Sequence, residues 1–154
     1  MGERLVRYKG MGDLTMKREI EFRGQRVDNK EWVYGYYVHN TYSVGFAKEP
    51  TLYENHYIYS KNFISESWFN TAKVEVIPET VGQYVGITDS NGKKVYVGDI
   101  IKARHNFYPY KVFVRECKVC IEDEVGNAIR PTNEALQHFE CEVIGNIFDK
   151  ESDK

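Results

Sequence analysis

The chain has 154 residues, enough for one domain with a sizeable hydrophobic core, and its 12 Tyr, 8 Phe and 2 Trp favour β-structure. Its 21 Lys and Arg are balanced by 23 Asp and Glu, so the net charge of −2 excludes a global field that would attract nucleic acid and leaves only room for a local patch. The sequence contains no apolar run of membrane-spanning length and no export signal, and it has three cysteines. We therefore expect a cytoplasmic protein with reduced thiols and no membrane partner.

The first 15 residues differ from the rest of the chain. Residues 1–15 (MGERLVRYKGMGDLT) show neither sustained strand alternation nor a helical apolar face. We expect this segment to be disordered, or to be a translated leader that is not native, with Met16 as the true start. At the other end, residues 149–154 are expected to form a charged tail.

An aromatic β-hairpin is predicted next. Ile20 and Phe22 alternate with charged residues, as in a half-buried strand. Residues 26–30 (RVDNK) are typical of a turn, and residues 31–39 (EWVYGYYVH) are typical of a second strand. One face of this second strand carries Trp32, Tyr34, Tyr36 and Val38.

A third aromatic strand is predicted at residues 52–60, where Tyr53, Tyr57 and Tyr59 share one face. Such a row could be a stacking platform for single-stranded nucleic acid or sugars, but platforms of this kind are normally rimmed by Lys and Arg. Between residues 31 and 59 the only basic residue besides two histidines is Lys48. Core packing or a subunit interface is therefore favoured.

The clearest turn in the chain is at residues 89–92 (DSNG). It lies between two β-prone runs, residues 83–87 (QYVGI) and 93–97 (KKVYV), and its Asn-Gly pair can supply the positive φ angles of a tight hairpin. A Gly-Asp pair at 98–99 predicts a second reversal into a further strand, as in a small antiparallel barrel or meander. No helical pattern follows these glycines, so we interpret them as turn and bend positions and not as a phosphate-binding loop.

The C-terminal part is predicted to contain further strands and one short helix. Within residues 110–122 the apolar positions change phase, which predicts a bulge or bend near Arg115 and Glu116. The helix is predicted near residues 132–139, behind a threonine that can cap it. Residues 141–148 are predicted to close the fold as a strand.

A zinc site is a weak candidate in this region. Two ligand pairs have a spacing found in zinc modules, namely Cys117, Cys120, His138 and Cys141. In an alternating strand, however, side chains at i and i+3 point to opposite faces, so the first two thiols would diverge. We therefore predict packed thiols, with no metal and no other cofactor.

The sequence gives no positive support for catalysis. His39, His56 and His105 are scattered and are predicted to lie at the surface or to be hydrogen-bonded. Glu79 and Asp99 follow turn-forming residues, and we expect them to hold turns through side-chain to backbone hydrogen bonds. No nucleophile elbow, Walker loop, dinucleotide fingerprint or metalloprotease helix is present, so no catalytic residue is assigned.

Three sequence blocks in the same order resemble those of the YopX-like family, which comprises small phage and prophage proteins of Gram-positive bacteria without an established biochemistry. The blocks are residues 17–23 (KREIEFR), 78–101 (PETVGQYVGITDSNGKKVYVGDII) and 142–148 (EVIGNIF). The resemblance implies one domain over residues 16–148, with a possible subdivision into 16–72 and 73–148, in the cytoplasm of a bacterial host.

The resemblance also bears on binding and function. Residues of the central block that recur in the family are implied as binding candidates, namely Glu79, Gln83, Tyr84 and Asp99. High aromatic content without a catalytic set is typical of an interaction module. We therefore expect a non-enzymatic accessory protein that binds a phage or host protein or forms a homo-oligomer. A nucleic-acid-binding module that uses the turns of a small barrel is the alternative, and a zinc-dependent module is a weaker one.

Overall fold

The computed structural model describes residues 19–45, 51–60, 73–104, 108–116, 118–129 and 140–149. In these ranges the secondary structure consists of β-strands and one short 3-10 turn, Pro78–Thr80. The described residues contain no α-helix, and therefore no helix that could span a membrane. The strands are β1 (Phe22–Gln25), β2 (Trp32–Val44), β3 (Thr51–Ser60), β4 (Lys73–Glu75), β5 (Gly82–Thr88), β6 (Lys94–Tyr96), β7 (Asp99–Ala103), β8 (Pro109–Arg115), β9 (Lys118–Glu122), β10 (Ala128–Ile129) and β11 (Cys141–Asn146). The prediction of a mainly β protein is confirmed. The predicted leader at 1–15 and the predicted helix at 132–139 lie outside the described residues.

The strands form two antiparallel sheets. The first has the order β4-β3-β2-β1-β5-β6, and the second has the order β10-β9-β8-β7-β11. Both described sheets are open, and no closed barrel is found in this part of the chain. The predicted antiparallel meander is present, since β7 to β10 are consecutive neighbours. The subdivision proposed near residue 72 falls between two strands of the first sheet, whereas the chain passes between the sheets at Val97 and Gly98.

The predicted hairpin at residues 89–92 is confirmed as the β5–β6 connection. Gly92 has φ +79°, whereas Asn91 does not adopt a positive φ. Residues 89–92 form a four-residue turn in which the fourth residue, Gly92, is the one in the left-handed region. The N–H of Gly92 donates to the Asp89 carbonyl at 3.0 Å, and the N–H of Asp89 donates to the Lys93 carbonyl at 2.7 Å. The turn therefore has a positive φ at Gly92 alone, whereas the sequence suggested positive φ angles at both Asn91 and Gly92.

The Asp89 side chain connects this hairpin to the second sheet through hydrogen bonds. Its Oδ1 accepts the N–H groups of Asn91 and Lys93, both at 2.8 Å, and its Oδ2 accepts the N–H of Val143 on β11 at 3.1 Å. Burial alone would raise the pKa of Asp89, but the three N–H donors outweigh it and hold the pKa below its usual value. The carboxylate is thus the ionised, hydrogen-bonded form at neutral pH.

The second predicted reversal, at Gly98, is also present. Gly98 has φ +90°, and the strand that follows it, β7, pairs with β8 and β11. The turn therefore transfers the chain from one sheet to the other, which the local sequence did not indicate. The phase change near Arg115 has a similarly simple cause, because β8 and β9 are separate strands joined by a tight turn in which Glu116 has φ +52°.

The hydrophobic core lies where the two sheets meet. The first sheet contributes Ile87 and Val95. The second sheet contributes the other members of the buried cluster, which are Ile101, Tyr110, Val112, Ile121 and Cys141. Val95 and Ile101 are fully buried. The two sheets therefore share one core and stabilise each other.

The first strand departs from the predicted alternation. Ile20 is 55% exposed, whereas Glu21 and Arg23 are buried. Phe22 is half-buried, so the more buried face of this segment is the one that carries the charged residues. The reason is that its charged face is covered by aromatic side chains and contacts the second sheet, as described below.

Candidate functional site

A buried ion pair connects the two sheets. Arg23 on β1 and Asp99 on β7 are 4% and 1% exposed, and Arg23 Nη1 lies 2.7 Å from Asp99 Oδ1. Asp99 Oδ2 accepts the N–H of Tyr96 at 2.8 Å, and Asn146 Nδ2 on β11 lies 3.4 Å from Asp99 Oδ1. The predicted role of Asp99 in holding its turn is confirmed, and the carboxylate also joins three parts of the fold.

Aromatic rings enclose the Arg23 guanidinium. Its central carbon lies 4.6 Å from the Trp32 ring centroid and 4.9 Å from the Tyr96 ring centroid. Within the described part of the chain, Nε and Nη2 of Arg23 have no hydrogen-bond partner. The two ring faces therefore provide the remaining stabilisation of the buried charge.

The hydroxyl of Tyr96 extends this network to Glu21. Tyr96 Oη donates a short hydrogen bond to Glu21 Oε1, and burial together with this bond raises the pKa of Tyr96. Lys94 Nζ lies 2.9 Å from Glu19 and 3.1 Å from Glu21. These charges satisfy one another, which is typical of a structural cluster and does not indicate an acid/base pair.

The four binding candidates of the central block do not converge on one point. Asp99 and Tyr84 both contact Tyr96, since the Tyr84 and Tyr96 ring centroids are 5.7 Å apart. Gln83 precedes Tyr84 in β5 and so points to the opposite face. Glu79 is exposed on the 3-10 turn, where the hydroxyl of Thr80 accepts the N–H of Gln25 at 2.9 Å. As binding residues, these four remain a prediction.

The two described cysteines of the weak zinc candidate lie on opposite faces of the second sheet and on strands that are not neighbours. Cys141 belongs to the buried core cluster together with Ile121, whereas Cys120 is the neighbour of Ile121 in β9 and points to the other face. In the sheet order, two strands lie between β9 and β11. Cys120 and Cys141 therefore do not face a common ion, and Cys117 and His138 lie outside the described residues.

An open groove of about 350 Å³ is present beside the β5–β6 turn. Its charged lining residues are Lys102, Arg104, Glu140 and Glu142. Arg104 Nη1 lies 2.7 Å from Glu140 Oε2, so part of this charge is internally paired. A groove with both signs of charge does not favour a polyanion.

The β2–β3 hairpin extends beyond its neighbours in the first sheet. β1 pairs with residues 32–35 of β2, and β4 pairs with residues 57–59 of β3. In the described ranges, residues 39–44 and 51–56 pair in the ladder only with each other, and the Val76 N–H also donates to the His56 carbonyl at 2.9 Å. We call these residues the outer ribbon.

One face of this hairpin carries tyrosines. The prediction that Tyr53, Tyr57 and Tyr59 share a face is confirmed by the register of the two strands. The β2–β3 pairing adds tyrosines from β2, so that this tyrosine face comprises Tyr34, Tyr36, Tyr42, Tyr53, Tyr57 and Tyr59. Tyr42 and Tyr53 stack with ring centroids 5.5 Å apart, and both are about half exposed.

The opposite face of the outer ribbon brings together three potential metal ligands. His39 and His56 are directly opposite each other in the ladder, and Glu54 lies two residues from His56 on the same face. One ligand atom from each residue lies within 4.8 Å of the other two. Sequence reasoning treated these histidines as scattered. The sequence alone could have predicted that Glu54 and His56 share a strand face, because they are two residues apart, but the position of His39 beside them depends on the register between β2 and β3.

Comparison of the sequence with known proteins and protein families identifies the family to which the chain belongs. A search of curated proteins gives no match. The family model described as YopX protein matches residues 21–152, which include all the strands described above and both the ion pair and the outer ribbon. The chain therefore belongs to the YopX family.

Proposed function

We propose that this protein is a non-enzymatic accessory protein of a phage or prophage that works by self-assembly, and that the tyrosine face of the β2–β3 hairpin is its interface. The observation that carries the proposal is the exposure of that face, where Tyr36 is 57% exposed and Tyr42, Tyr53 and Tyr34 are each above 40%. Tyrosine contributes a large contact area at small conformational cost and is enriched at protein interfaces.

The position of these side chains supports an interface more than a core. An isolated two-stranded ribbon is marginally stable in water, and the outer ribbon has no third strand among the described residues. Packing the tyrosine face against another protein surface would bury these rings and stabilise the ribbon.

A second copy of the chain is the partner that best fits this face. β2 and β3 contain no Lys or Arg. On this face the neighbouring β4 adds Lys73, whose Nζ lies 3.7 Å from the Tyr57 ring centroid, and Glu75, which pairs with Tyr57, so the two signs balance and do not favour a polyanion. Two copies related by a two-fold axis would place the same uncharged aromatic row on both sides of the interface, which is the usual geometry of a homodimer.

The test compares neighbouring residues on opposite faces of β3. The molar mass of the full chain is measured by size-exclusion chromatography with light scattering over a series of concentrations. Tyr53→Ser, on the tyrosine face, should shift the distribution towards the monomer. Leu52→Ser is the matched control, because Leu52 is 68% exposed and faces the other way. Circular dichroism of both variants establishes that they fold.

The outcomes separate the alternatives. A wild-type protein that is monomeric at every concentration would exclude self-assembly. An equal effect of the two substitutions would show that the tyrosine face is not the interface. Salt-dependent binding of single-stranded nucleic acid by a monomer would instead support the nucleic-acid-binding alternative.

A further inference from the structure

The face of the outer ribbon opposite the tyrosines carries an imidazole pair with a carboxylate beside it. The His39 and His56 rings stack with centroids 4.4 Å apart and planes 8° apart. Glu54 Oε2 lies 3.6 Å from His39 Nε2 and 3.8 Å from His56 Nε2. All three side chains reach the same point from two adjacent strands.

The two distances to Glu54 fit a single metal ion with small side-chain movements, and the ligand atoms of His39 and His56 lie within 4.8 Å of each other, a gap that rotation of the exposed His39 ring can reduce. Zinc binds imidazole nitrogen and carboxylate oxygen at about 2.0 to 2.2 Å, so donor atoms on one tetrahedral ion lie about 3.3 to 3.5 Å apart. The two Glu54 separations exceed this range by only a few tenths of an ångström. His39 and Glu54 are exposed and can rotate, so the backbone need not move.

Tyr37 orients one of the ligands. Its hydroxyl lies 2.6 Å from His56 Nδ1, and Tyr37 is on the same face of β2 as His39. When Nδ1 carries the proton and donates it to Tyr37 Oη, the lone pair of His56 resides on Nε2, the atom nearest Glu54. A second hydrogen bond of this kind accompanies nearly every histidine ligand in known metal sites.

We propose that His39, Glu54 and His56 form a binding site for a divalent transition metal ion of the Zn²⁺ type. Two imidazoles and one carboxylate are borderline ligands that suit zinc, nickel and copper better than magnesium or calcium. Three protein ligands leave a fourth position for water, as in zinc sites that are open to solvent. The ion would also link β2 to β3 across the outer ribbon, where no third strand of the described chain supports them. This site lies on the face opposite the tyrosine face and does not depend on self-assembly.

Isothermal titration calorimetry of the full chain with zinc chloride tests the proposal. We expect one ion per chain in the wild type and loss of binding in His39→Ala and Glu54→Gln. Tyr37→Phe should weaken binding by about 10- to 100-fold, the usual effect of removing an outer-shell partner. Thr41→Ala is the matched control, because Thr41 pairs with Glu54 on the same face and is not a proposed ligand.

Cysteine ligands elsewhere in the chain must be distinguished from this site. His138→Ala removes a histidine of the Cys117, Cys120 and Cys141 set, and it should leave zinc binding unchanged. Cobalt substitution gives an independent readout, because thiolate ligands produce an intense charge-transfer band and nitrogen and oxygen ligands do not. Loss of binding in His138→Ala, a thiolate band in the cobalt spectrum, or no zinc binding by the wild type would each overturn the assignment.

Discussion

The ion pair between Arg23 and Asp99 permits a quantitative test of how the two sheets are held together. In Asp99→Asn, the amide oxygen can still accept the N–H of Tyr96, but the charge opposite Arg23 is lost. Arg23 already has two buried donor atoms without a partner in the described part of the chain, so the change leaves its buried charge uncompensated. Breaking a buried pair on one side costs about 3 to 5 kcal/mol.

Urea denaturation followed by circular dichroism measures this loss, and the slope of the free energy against urea should remain unchanged. Asp28→Asn is the control: Asp28 Oδ2 lies 2.6 Å from Arg26 Nη2, a similar distance, but that pair is exposed to solvent. We expect no measurable effect from the exposed pair, because water replaces the lost interaction.

A double variant isolates the pair itself. In Arg23→Met combined with Asp99→Asn, the buried charge is absent, so the total loss should be smaller than the sum of the single losses by about 1 to 3 kcal/mol. A loss below about 1 kcal/mol for Asp99→Asn, or additivity of the two substitutions, would refute the reasoning, because both results mean that solvent reaches the guanidinium.

Three further predictions concern other positions. The pKa of Asp89 is lowered in the folded protein, so the ionised carboxylate stabilises the fold at pH values above the ordinary carboxyl pKa of about 3.9, and this stabilisation is lost as the pH falls further. The difference in unfolding free energy between wild type and Asp89→Asn should therefore be largest near neutral pH and should shrink in acid. Urea titrations at several pH values measure this difference. Gly92→Val should lower the unfolding free energy by roughly 1 kcal/mol or more, because a β-branched residue resists the positive φ, and Gly92→Asn should be tolerated better in the same assay. Cys120→Ser should lower the melting temperature measurably, because Cys120 is only 1% exposed and a buried hydroxyl without a good acceptor costs about 1 to 3 kcal/mol. An unchanged melting temperature would indicate that the thiol is accessible to water.

Local turn chemistry explains what the sequence predicted well. The β5–β6 hairpin and the reversal at Gly98 are each determined by a few consecutive residues, so their positions could be identified without the rest of the fold. The sheet to which the next strand belongs is a tertiary property. For this reason the sequence predicted the antiparallel strands and the meander, but not their division into two open sheets that share a core.

The burial of charged and polar faces was less predictable. Arg23 occupies an alternating position that normally faces solvent, but Trp32 and Tyr96 cover it and Asp99 neutralises it from the other sheet. Cys120 shares its strand face with Lys118 and Glu122, a pattern typical of a face exposed to solvent, yet Cys120 is buried. Both errors arise because alternation identifies two faces and does not reveal which of them is covered.

The candidate metal ligands show a different limit. Glu54 and His56 are two residues apart, so any strand places them on one face. His39 joins them only because the β2–β3 register pairs residue 39 with residue 56, and a shift by one residue would move it to the tyrosine face. The length of the intervening loop sets that register, and no local motif reports it.

The position of β11 has a consequence for how the protein folds during synthesis. This strand does not extend the meander at β10 but pairs with β7, about forty residues earlier in the chain, and it supplies Cys141 to the core and Asn146 to the buried carboxylate. A nascent chain that has left the ribosome only as far as β10 therefore has an unpaired edge on β7 and an incomplete core. Native packing of this sheet must therefore await the emergence of β11 from the ribosome, and until then the β7 edge is available for pairing with other chains.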